Sequence, residues 1–574
     1  MKKMINRFFS GLKRALGLQE TISVVYVAIM LLPNLFLAVT EPYSWSTVLG
    51  SILLPATFYL LVSVSLPRPG GVMLCTLPLM ILGAFQIVLL YLFGGSIIAV
   101  DMFTNLFTTN ASEAGELLAN IWPAVVFVCV IYIPLLVLGV RSLVIKRRLS
   151  GVFRRRALWA AAASFVLGVI FVLVSTFAHP GFGVKYHVFP INVIYNIDLT
   201  LDRWSQSEAY PETSRDFRFD VTRSRQADGR EIYVFVIGEA SRAASWSLFG
   251  YERETTPRLQ QRVGDGLVPF RDMLTQCNAT HKSVPILLSA VSAANYNDIF
   301  QEKSIITAFK EAGFKTAFLS NQVPNNTFTD FFSREADVVK LLRGDPLAIS
   351  DNPLDHDLLP LLDNFIAKSG NKQFIVLHTY GSHFNYRDRY SDKFKVFIPD
   401  NSVNLEYRHR DLLINSYDNS ILSTDDFLAS VIDKLRNTGA VTCMFYLPDH
   451  GEDIMDDDRH RFLHASPCPT YYQLHIPFLI WFSDEYNNRY PEAIKNAVSH
   501  HSSPITTRAA FHTMLDLGGI ATAHLDSVFS VVNADFSPRK RSYLNDHNLP
   551  ESLDNCGLKE EDKAMFRKKG MAFP

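Results

Sequence analysis

The sequence carries almost no net charge and few cysteines. Its 55 Lys and Arg residues are balanced by 56 Asp and Glu residues over 574 positions, so charge gives no argument for nucleic acid as a partner. Only six cysteines are present, and no internal repeat or low-complexity stretch occurs. The four cysteines beyond residue 180 allow one or two disulfide bridges without indicating a pairing. They are Cys277, Cys443, Cys468 and Cys556.

Hydrophobic residues make up 48% of the chain and are concentrated before residue 180. That part holds five apolar stretches of about 20 residues, the length that crosses a bilayer. The first is long and lacks a small-residue cleavage site, so we expect a membrane span and not a signal peptide. The stretches contain almost no ionisable residues, which argues against a transporter. The predicted spans are Ile22–Thr40, Thr47–Leu66, Val72–Phe93, Ile121–Leu143 and Ala157–Phe177.

Basic residues indicate how these spans are oriented. Lys and Arg occur before span 1, between spans 2 and 3, and between spans 4 and 5, whereas the connections Glu41–Ser46 and Gly94–Asn120 contain none. The positive-inside rule therefore places the amino terminus in the cytoplasm, and five spans put the rest of the chain on the opposite side. We expect a membrane domain over 1–179, a linker over 180–225 and an exported domain over 226–574.

The exported part alternates between short apolar runs and helical stretches, which is typical of a mainly parallel sheet covered by helices. We therefore predict an α/β/α sandwich. The predicted strands are Glu231–Ile237, Lys315–Leu319, Gln373–Leu377 and Val441–Leu447. The predicted helices include Ser304–Ala312, Asp355–Lys368 and Ser420–Leu435.

Metal-capable side chains follow three of these strands. Sites in open α/β sheets form beyond the carboxyl ends of the strands, so these side chains are expected to converge. Carboxylate oxygen and imidazole nitrogen together favour zinc, with manganese as the weaker choice. One carboxylate after a strand usually caps a helix, but three such strand ends indicate a metal site. The residues are Glu239 after the first strand, His378 and His383 after the third, and Asp449, His450 and Glu452 after the fourth.

Thr280 lies in the segment CNATHKSVPILLSAV. Pro285 and the apolar run around it predict a helix that begins near His281–Ser283, with Thr280 at or just before its amino terminus. The unpaired amides and the dipole of a helix favour an anion there. Thr280 is then either a simple helix cap or a nucleophile, for which metal coordination would lower the hydroxyl pKa.

The connection between spans 3 and 4 contains a second polar pattern. Asn105, Thr109 and Glu113 recur every four residues within the partly amphipathic stretch Ser96–Leu118, so they would share one helix face. This face is either the solvated side of an interfacial helix or the lining of a pocket for a lipid head group.

Taken together, the chain resembles the phosphoethanolamine transferases of Gram-negative inner membranes, within the alkaline phosphatase/sulfatase superfamily. The resemblance covers nearly the whole chain, because five spans precede an exported hydrolase-like domain. Its motifs are VIGEASRAASWSLFGYERETTP, the Thr280 segment, AFLSNQ, HTYGSH, SYDNSILSTDD and YLPDHGE.

The resemblance implies a role for each matching residue. Thr280 would accept phosphoethanolamine covalently, and its oxygen would bind zinc together with Glu239, Asp449 and His450. His383 and His464 would bind the phosphoryl group or a second zinc and act as acid or base, with His460 as a competitor for His464. Asn105, Thr109 and Glu113 match the polar triplet that faces the donor lipid in such enzymes.

The implied reaction moves phosphoethanolamine from phosphatidylethanolamine to lipid A or the lipopolysaccharide core. We expect a monomer in the bacterial inner membrane with its catalytic domain in the periplasm. The Cys-Asn-Ala-Thr-His context of Thr280 and Pro448 before Asp449 differ from the lipid A-modifying branch, so the acceptor stays open.

Three other functions compete with this interpretation. A formylglycine sulfatase would share the fold, but the residues after Cys277 do not match its signature. A glycerol-phosphate transferase of the lipoteichoic acid type would also use threonine and five spans. A non-catalytic membrane sensor or scaffold should have lost ligands, and every expected ligand is present.

Overall fold

The computed structural model describes residues 18–41, 43–93, 97–103, 111–145, 147–179, 182–225, 229–343, 352–401 and 406–571. The chain divides into two compact units, residues 1–103 with 115–201 and residues 104–114 with 202–574. Each unit has its own hydrophobic core.

The first unit is built from apolar helices. Among the described residues, four helical stretches are long and apolar enough to cross a membrane: Leu18–Thr40, Trp45–Ser63, Ile121–Val144 and Gly151–Ala178. A fifth candidate is the pair Pro69–Cys75 and Leu77–Tyr91, which bends by 69°. Small residues allow close helix packing: a Cβ at Gly168 would lie 3.1 Å from the Leu54 nitrogen. The helices are Leu18–Met30, Leu32–Thr40, Trp45–Ser63, Pro69–Cys75, Leu77–Phe93, Ala111–Val144 and Gly151–Ala178.

Buried side chains join these helices through hydrogen bonds, which a span needs wherever a polar group leaves water. The Ser142 hydroxyl donates to Gln19 Oε1 at 2.6 Å, and Gln19 Nε2 donates to the Ser142 carbonyl at 3.1 Å. After the last long helix, the stretch that we expected to be a linker forms the helices Val184–His187 and Ile191–Thr213.

The second unit is organised around a seven-stranded sheet. Its strands, labelled in chain order, are β1 Glu231–Gly238, β2 Leu267–Phe270, β3 Lys315–Ser320, β4 Val338–Leu341, β5 Lys372–His378, β6 Val441–Pro448 and β7 Phe478–Phe482. They lie in the order β2-β7-β6-β1-β5-β3-β4, and β7 alone runs antiparallel to its two neighbours. The predicted strands match β1, β3, β5 and β6, while β2, β4 and β7 were not predicted.

Both faces of this sheet are buried. In β1, Tyr233, Phe235 and Ile237 enter one core while Ile232, Val234 and Val236 enter the other, as the two-residue period of a strand requires. The fold is thus an α/β/α sandwich. Its longer helices are Thr280–Leu288, Leu358–Lys368, Arg410–Arg436, Pro491–His500, Ala509–Leu517 and Glu560–Lys568.

Shorter elements complete the second unit. Its shorter helices include Pro257–Gln260, Ile305–Glu311, Phe328–Ser333, Tyr471–Leu474 and Asp484–Arg489. Four two-stranded pairings join Thr222–Arg223 with Ile520–Ala521, Asp453–Ile454 with Phe462–Leu463, Met273–Leu274 with Ile505–Thr506, and Ser542–Leu544 with Pro550–Ser552.

Register explains how the functional strand ends meet. β1 lies between β5 and β6, with Ile237 opposite His378 and Gly238 opposite Pro448. The residues that follow these pairs, Glu239 and Asp449 among them, therefore leave the sheet side by side at one edge.

Phe309 is expected to be an essential packing residue of the second unit. It is fully buried and stacks on Phe374 with ring centroids 3.9 Å apart. Phe309→Ala should lower the free energy of unfolding by about 3–5 kcal/mol, because a large buried ring leaves a cavity. Denaturant unfolding of the detergent-solubilised chain, followed by tryptophan fluorescence, measures the loss. The half-exposed Val498 is the control, and Val498→Ala should change stability by less than about 0.5 kcal/mol; equal losses would contradict the packing role.

Candidate metal and nucleophile site

Glu239 sits in a tight turn directly after β1, with 1% of its surface exposed. The turn needs a positive φ of 51° at Ala240, and the buried Tyr417 holds it. The Tyr417 hydroxyl donates to the Ala240 carbonyl at 2.7 Å and accepts from the Arg242 amide at 3.0 Å. The SYDN segment therefore fixes the direction of Glu239.

The side chain of Glu239 is also held through its Oε2, by residues that follow β3 and β5. Gln322 Nε2, just beyond β3, donates to Glu239 Oε2 at 3.2 Å and to the Thr379 carbonyl at 2.9 Å. Gly381 approaches the Glu239 backbone so closely that an added Cβ would lie 2.6 Å from its carbonyl oxygen. A side chain is therefore not tolerated at Gly381, which also adopts a φ of +49°.

His450 is oriented by its own backbone turn. Its Nδ1 lies 2.9 Å from the Gly451 carbonyl, so Nδ1 carries the proton and Nε2 presents a lone pair, the arrangement typical of a metal-binding histidine. Asp449 Oδ1 accepts from the amides of Ala240 and His450. Asp449 Oδ2 is buried and has no hydrogen-bond partner among the described residues, although His450 Nε2 lies 3.1 Å away.

Thr280 completes a compact set of four possible ligand atoms. It is the first residue of the helix Thr280–Leu288, and its Oγ1 lies 3.0 Å from His450 Nε2 and 3.3 Å from Glu239 Oε1. His450 Nε2 lies 3.6 Å from Glu239 Oε1. Ligands bound tetrahedrally at about 2.0–2.2 Å are separated by about 3.3–3.6 Å, so this set, with Asp449 Oδ2, fits one small cation.

Carboxylate crowding points to the same conclusion. Burial, and then the neighbouring Asp449 and Glu452, raise the pKa of Glu239 well above its ordinary value. Burial also raises the pKa of Glu452 to about 8. Three buried carboxylates around one point repel each other, and a divalent cation would offset that repulsion.

His464 joins this cluster from a separate hairpin. Its Nδ1 lies 2.7 Å from Glu452 Oε2, and Glu452 Oε1 accepts from the Tyr386 hydroxyl at 2.9 Å. Glu239, His450 and His464 each offer a ligand atom within 4.8 Å of the others. His460, the competitor for this role, instead stacks on Tyr407 with ring centroids 3.9 Å apart.

His383 lies at the edge of the same group. Its ring centroid is 6.2 Å from that of His464, and it stacks on Tyr380. His378, by contrast, is buried against Phe318, and burial lowers its pKa to about 4. Among the described strand-end residues, His378 is outside the metal-capable group Glu239, His450 and His464.

The sequence patterns did not identify the residues that tie Thr280 to His464. Asn278 Nδ2 donates to the Ser466 carbonyl at 2.8 Å and to Gln473 Oε1 at 2.7 Å, and Gln473 Nε2 donates to Asp453 Oδ2 at 2.7 Å. Their amides come from segments far apart in the chain, so spacing carried no signal. The only sequence signal was that Asn278 lies two residues before Thr280 in the same segment.

The predicted lipid-facing triplet lies largely outside the described residues. Asn105 and Thr109 are not among them, and Glu113 falls in the helix Ala111–Val144, where its side chain is not described. The last eight residues of the predicted stretch Ser96–Leu118 are thus the beginning of that long helix.

Known proteins resemble about half of this chain. A family profile named Sulfatase matches residues 231–520. The phosphoethanolamine transferase EptC of Escherichia coli O18:K1:H7 is 28% identical over 346 residues, covering 56% of this chain and 58% of that protein. The Kdo(2)-lipid A phosphoethanolamine 7''-transferase of Salmonella typhimurium is 30% identical over 294 residues and half of each chain. The chain thus spans little more than half the length of these relatives.

Solved structures match over a larger part of the fold. The periplasmic domain of EptC from Escherichia coli, in complex with Zn, is 26% identical with a TM-score of 0.54, covering 58% of this chain and 96% of that one. The lipooligosaccharide phosphoethanolamine transferase EptA of Neisseria meningitidis is 22% identical and shares the fold with a TM-score of 0.71, covering 90% of this chain and 97% of that one. The chain belongs to the Sulfatase family, and the relatives that it resembles there are phosphoethanolamine transferases.

Proposed function

We propose that this protein transfers phosphoethanolamine from phosphatidylethanolamine to lipid A or the lipopolysaccharide core, through a covalent intermediate on Thr280. The observation that carries the proposal is the position of Thr280 Oγ1, at a helix amino terminus and 3.0 Å from His450 Nε2 within the carboxylate cluster. An electrophilic phosphorus would be attacked there while its oxygens face the helix amides.

Glu239, Asp449, His450 and the Thr280 oxygen are proposed to hold one zinc ion, and the zinc complex of the related EptC domain supports that choice. Zinc bound there would lower the pKa of the threonine hydroxyl and offset phosphoryl charge. The donor set of two carboxylates, one imidazole and one hydroxyl suits zinc better than manganese.

The protein's own groups then account for both steps. In the first, the Oγ1 proton passes to His464 or His383. Oγ1 forms a bond to phosphorus, the phosphorus–oxygen bond to diacylglycerol breaks, and His464 or His383 gives the leaving oxygen its proton. In the second, the same histidine takes the proton of the acceptor hydroxyl and the acceptor oxygen forms a bond to phosphorus. The bond between phosphorus and Thr280 Oγ1 breaks, and that histidine returns the proton to Oγ1.

The chain around this site is proposed to be a multi-pass, monomeric protein of the bacterial inner membrane. Residues 1–179 would form the membrane domain, 180–225 the connection and 226–574 the periplasmic catalytic domain. The apolar helices of the first unit support this arrangement. Asn105, Thr109 and Glu113 are proposed to face the donor head group.

Thr280→Ala should abolish release of diacylglycerol from phosphatidylethanolamine, with a loss on the order of a thousandfold or more, because the attacking atom is removed. Thr280→Ser keeps the hydroxyl and should retain measurable turnover. Mass spectrometry of the wild-type chain, quenched with donor alone, should find phosphoethanolamine on Thr280. Full turnover by Thr280→Ala would refute the nucleophile, and glycerol phosphate on Thr280 would assign a different transfer reaction.

Removing Asp449 should remove the metal. Asp449→Asn is expected to lower bound zinc below one ion per chain and to reduce activity at least about tenfold, because an amide is a poor zinc ligand. Plasma emission spectrometry of the purified chain measures the metal. Asp400→Asn is the matched control, since Asp400 is equally buried but bonds Tyr390 outside the cluster. Chelation should inactivate the wild type and added zinc should restore it; chelator-resistant activity would contradict the zinc assignment.

Glu452→Gln should impair catalysis through His464. The substitution keeps the size of the side chain but replaces the carboxyl group that lies 2.7 Å from His464 Nδ1 by an amide, so kcat should fall about 10–100-fold with KM nearly unchanged. Steady-state kinetics of diacylglycerol release measure both constants. Glu335→Gln changes a partly buried carboxylate bonded to Ser304 and controls for stability alone. A fall confined to KM would argue against the positioning role.

A further inference from the structure

A small cavity lies in the second unit, lined by residues on either flank of the Thr280 segment. It has a volume of about 60 Å³, enough for on the order of four water-sized groups. Among its walls are Gln276, Arg508, Arg539, Lys540 and Arg541. Four cations therefore line one cavity, and none of its described lining residues is a carboxylate.

Only part of this positive charge is neutralised, since Asp526 interacts electrostatically with Arg508. The buried Arg541 pairs with Asp272. Arg539 and Lys540 are exposed, and neither of them nor Arg508 makes an ion pair among the residues that the structure describes. The Arg508 guanidinium stacks on Phe529 at 3.7 Å, which fixes its plane. Its Nε is buried without a hydrogen-bond partner in the described part of the chain.

Gln276 adds a second, independent signal. It is 3% exposed, and its Nε2 donates to Ser542 Oγ at 3.4 Å, whereas its Oε1 is buried with no hydrogen-bond partner in the described ranges. A buried acceptor without a donor is unfavourable. The missing partner is a hydroxyl or N–H group, which a deprotonated carboxylate does not supply.

The cavity lies close along the chain to the reaction centre. Gln276 precedes Thr280 by four residues, so their Cα atoms are at most about 14 Å apart. Thr275, the residue before Gln276, donates from its Oγ1 to the Asp449 carbonyl at 2.7 Å. The Gln276 carbonyl also accepts from the Leu544 amide at 2.7 Å. A ligand held in the cavity would have to extend by about one or two sugar rings to bring a hydroxyl to Thr280.

We propose that this cavity is a subsite for the acceptor, and that it binds an acidic saccharide through an anionic substituent and a neighbouring hydroxyl. Arg508, Arg539 and Lys540 would contact the phosphate or carboxylate, and Gln276 Oε1 would accept from the sugar hydroxyl. Calling the ligand an acceptor rests on the proposed transfer reaction, but its chemistry follows from the cavity. A flat anionic membrane surface would use the exposed cations and leave Gln276 without a donor.

Binding, which needs no turnover, tests the subsite separately from the transfer reaction. Isothermal titration of the full chain in a neutral detergent would compare a phosphorylated disaccharide, the same disaccharide without phosphate, and inorganic phosphate. The phosphorylated disaccharide should bind tightest. Arg539→Glu with Lys540→Glu should weaken its affinity by at least about tenfold, because two charge-assisted contacts become repulsive. Unchanged thermal unfolding and zinc content would show that this double variant is folded.

Matched controls make the outcome decisive. Lys340 and Lys368 are also exposed and without an ion pair among the described residues, so Lys340→Glu with Lys368→Glu changes the net charge equally and should leave the affinity unaltered. Gln276→Leu should weaken the disaccharide but not inorganic phosphate. Equal losses in both double variants, or equal affinities for inorganic phosphate and the phosphorylated disaccharide, would overturn the proposal. The proposal would also be overturned if the Arg539→Glu, Lys540→Glu variant lost binding to anionic phospholipid vesicles but kept its affinity for the disaccharide.

Discussion

The buried carboxylates at the carboxyl edge of the sheet impose the constraint on which the rest of the second unit depends. Glu239, Asp449 and Glu452 are each almost fully removed from solvent, where like charges repel strongly and water cannot screen them. A divalent cation between Glu239, Asp449 and His450 would offset most of this charge. The surrounding structure holds the three carboxylates together against their mutual repulsion.

That surrounding structure is polar and specific. The long helix Arg410–Arg436 supplies Tyr417 to the turn after Glu239 and Asp418 to Tyr251 and Arg253, which follow in the same segment. Its Asp425 accepts from the amides of Arg258 and Leu259 at the start of the helix Pro257–Gln260. One helix therefore fixes the whole stretch from the first metal-capable residue to the ETTP motif.

The nucleophile and the second histidine are coupled by another network. Asn278, two residues before Thr280, bonds the Ser466 carbonyl and Gln473, and the Tyr543 hydroxyl donates to its Oδ1 at 2.7 Å. Ser466 follows His464 by two residues. The network thus sets the distance between the attacking oxygen and the proposed proton carrier, which catalysis needs within a few tenths of an ångström. The acceptor cavity borders the same segment, so the proposed acceptor subsite and the nucleophile share one rigid support.

Much of this protein was determined by local sequence pattern. The apolar stretches before residue 180, the four central strands and the strand-end positions of Glu239, Asp449 and His450 all follow from periodicity, because buried parallel strands are continuous apolar runs. The edge strands β2 and β4, and β7 beside β2, were missed because they are short. Helix Arg410–Arg436 begins ten residues before the predicted stretch. Only the tertiary structure decided which side chains meet. It placed His464 on Glu452 and His460 on Tyr407, left His378 in the core, and joined Asn278 to Gln473, because strand order and hairpin packing are long-range properties that no spacing along the chain encodes.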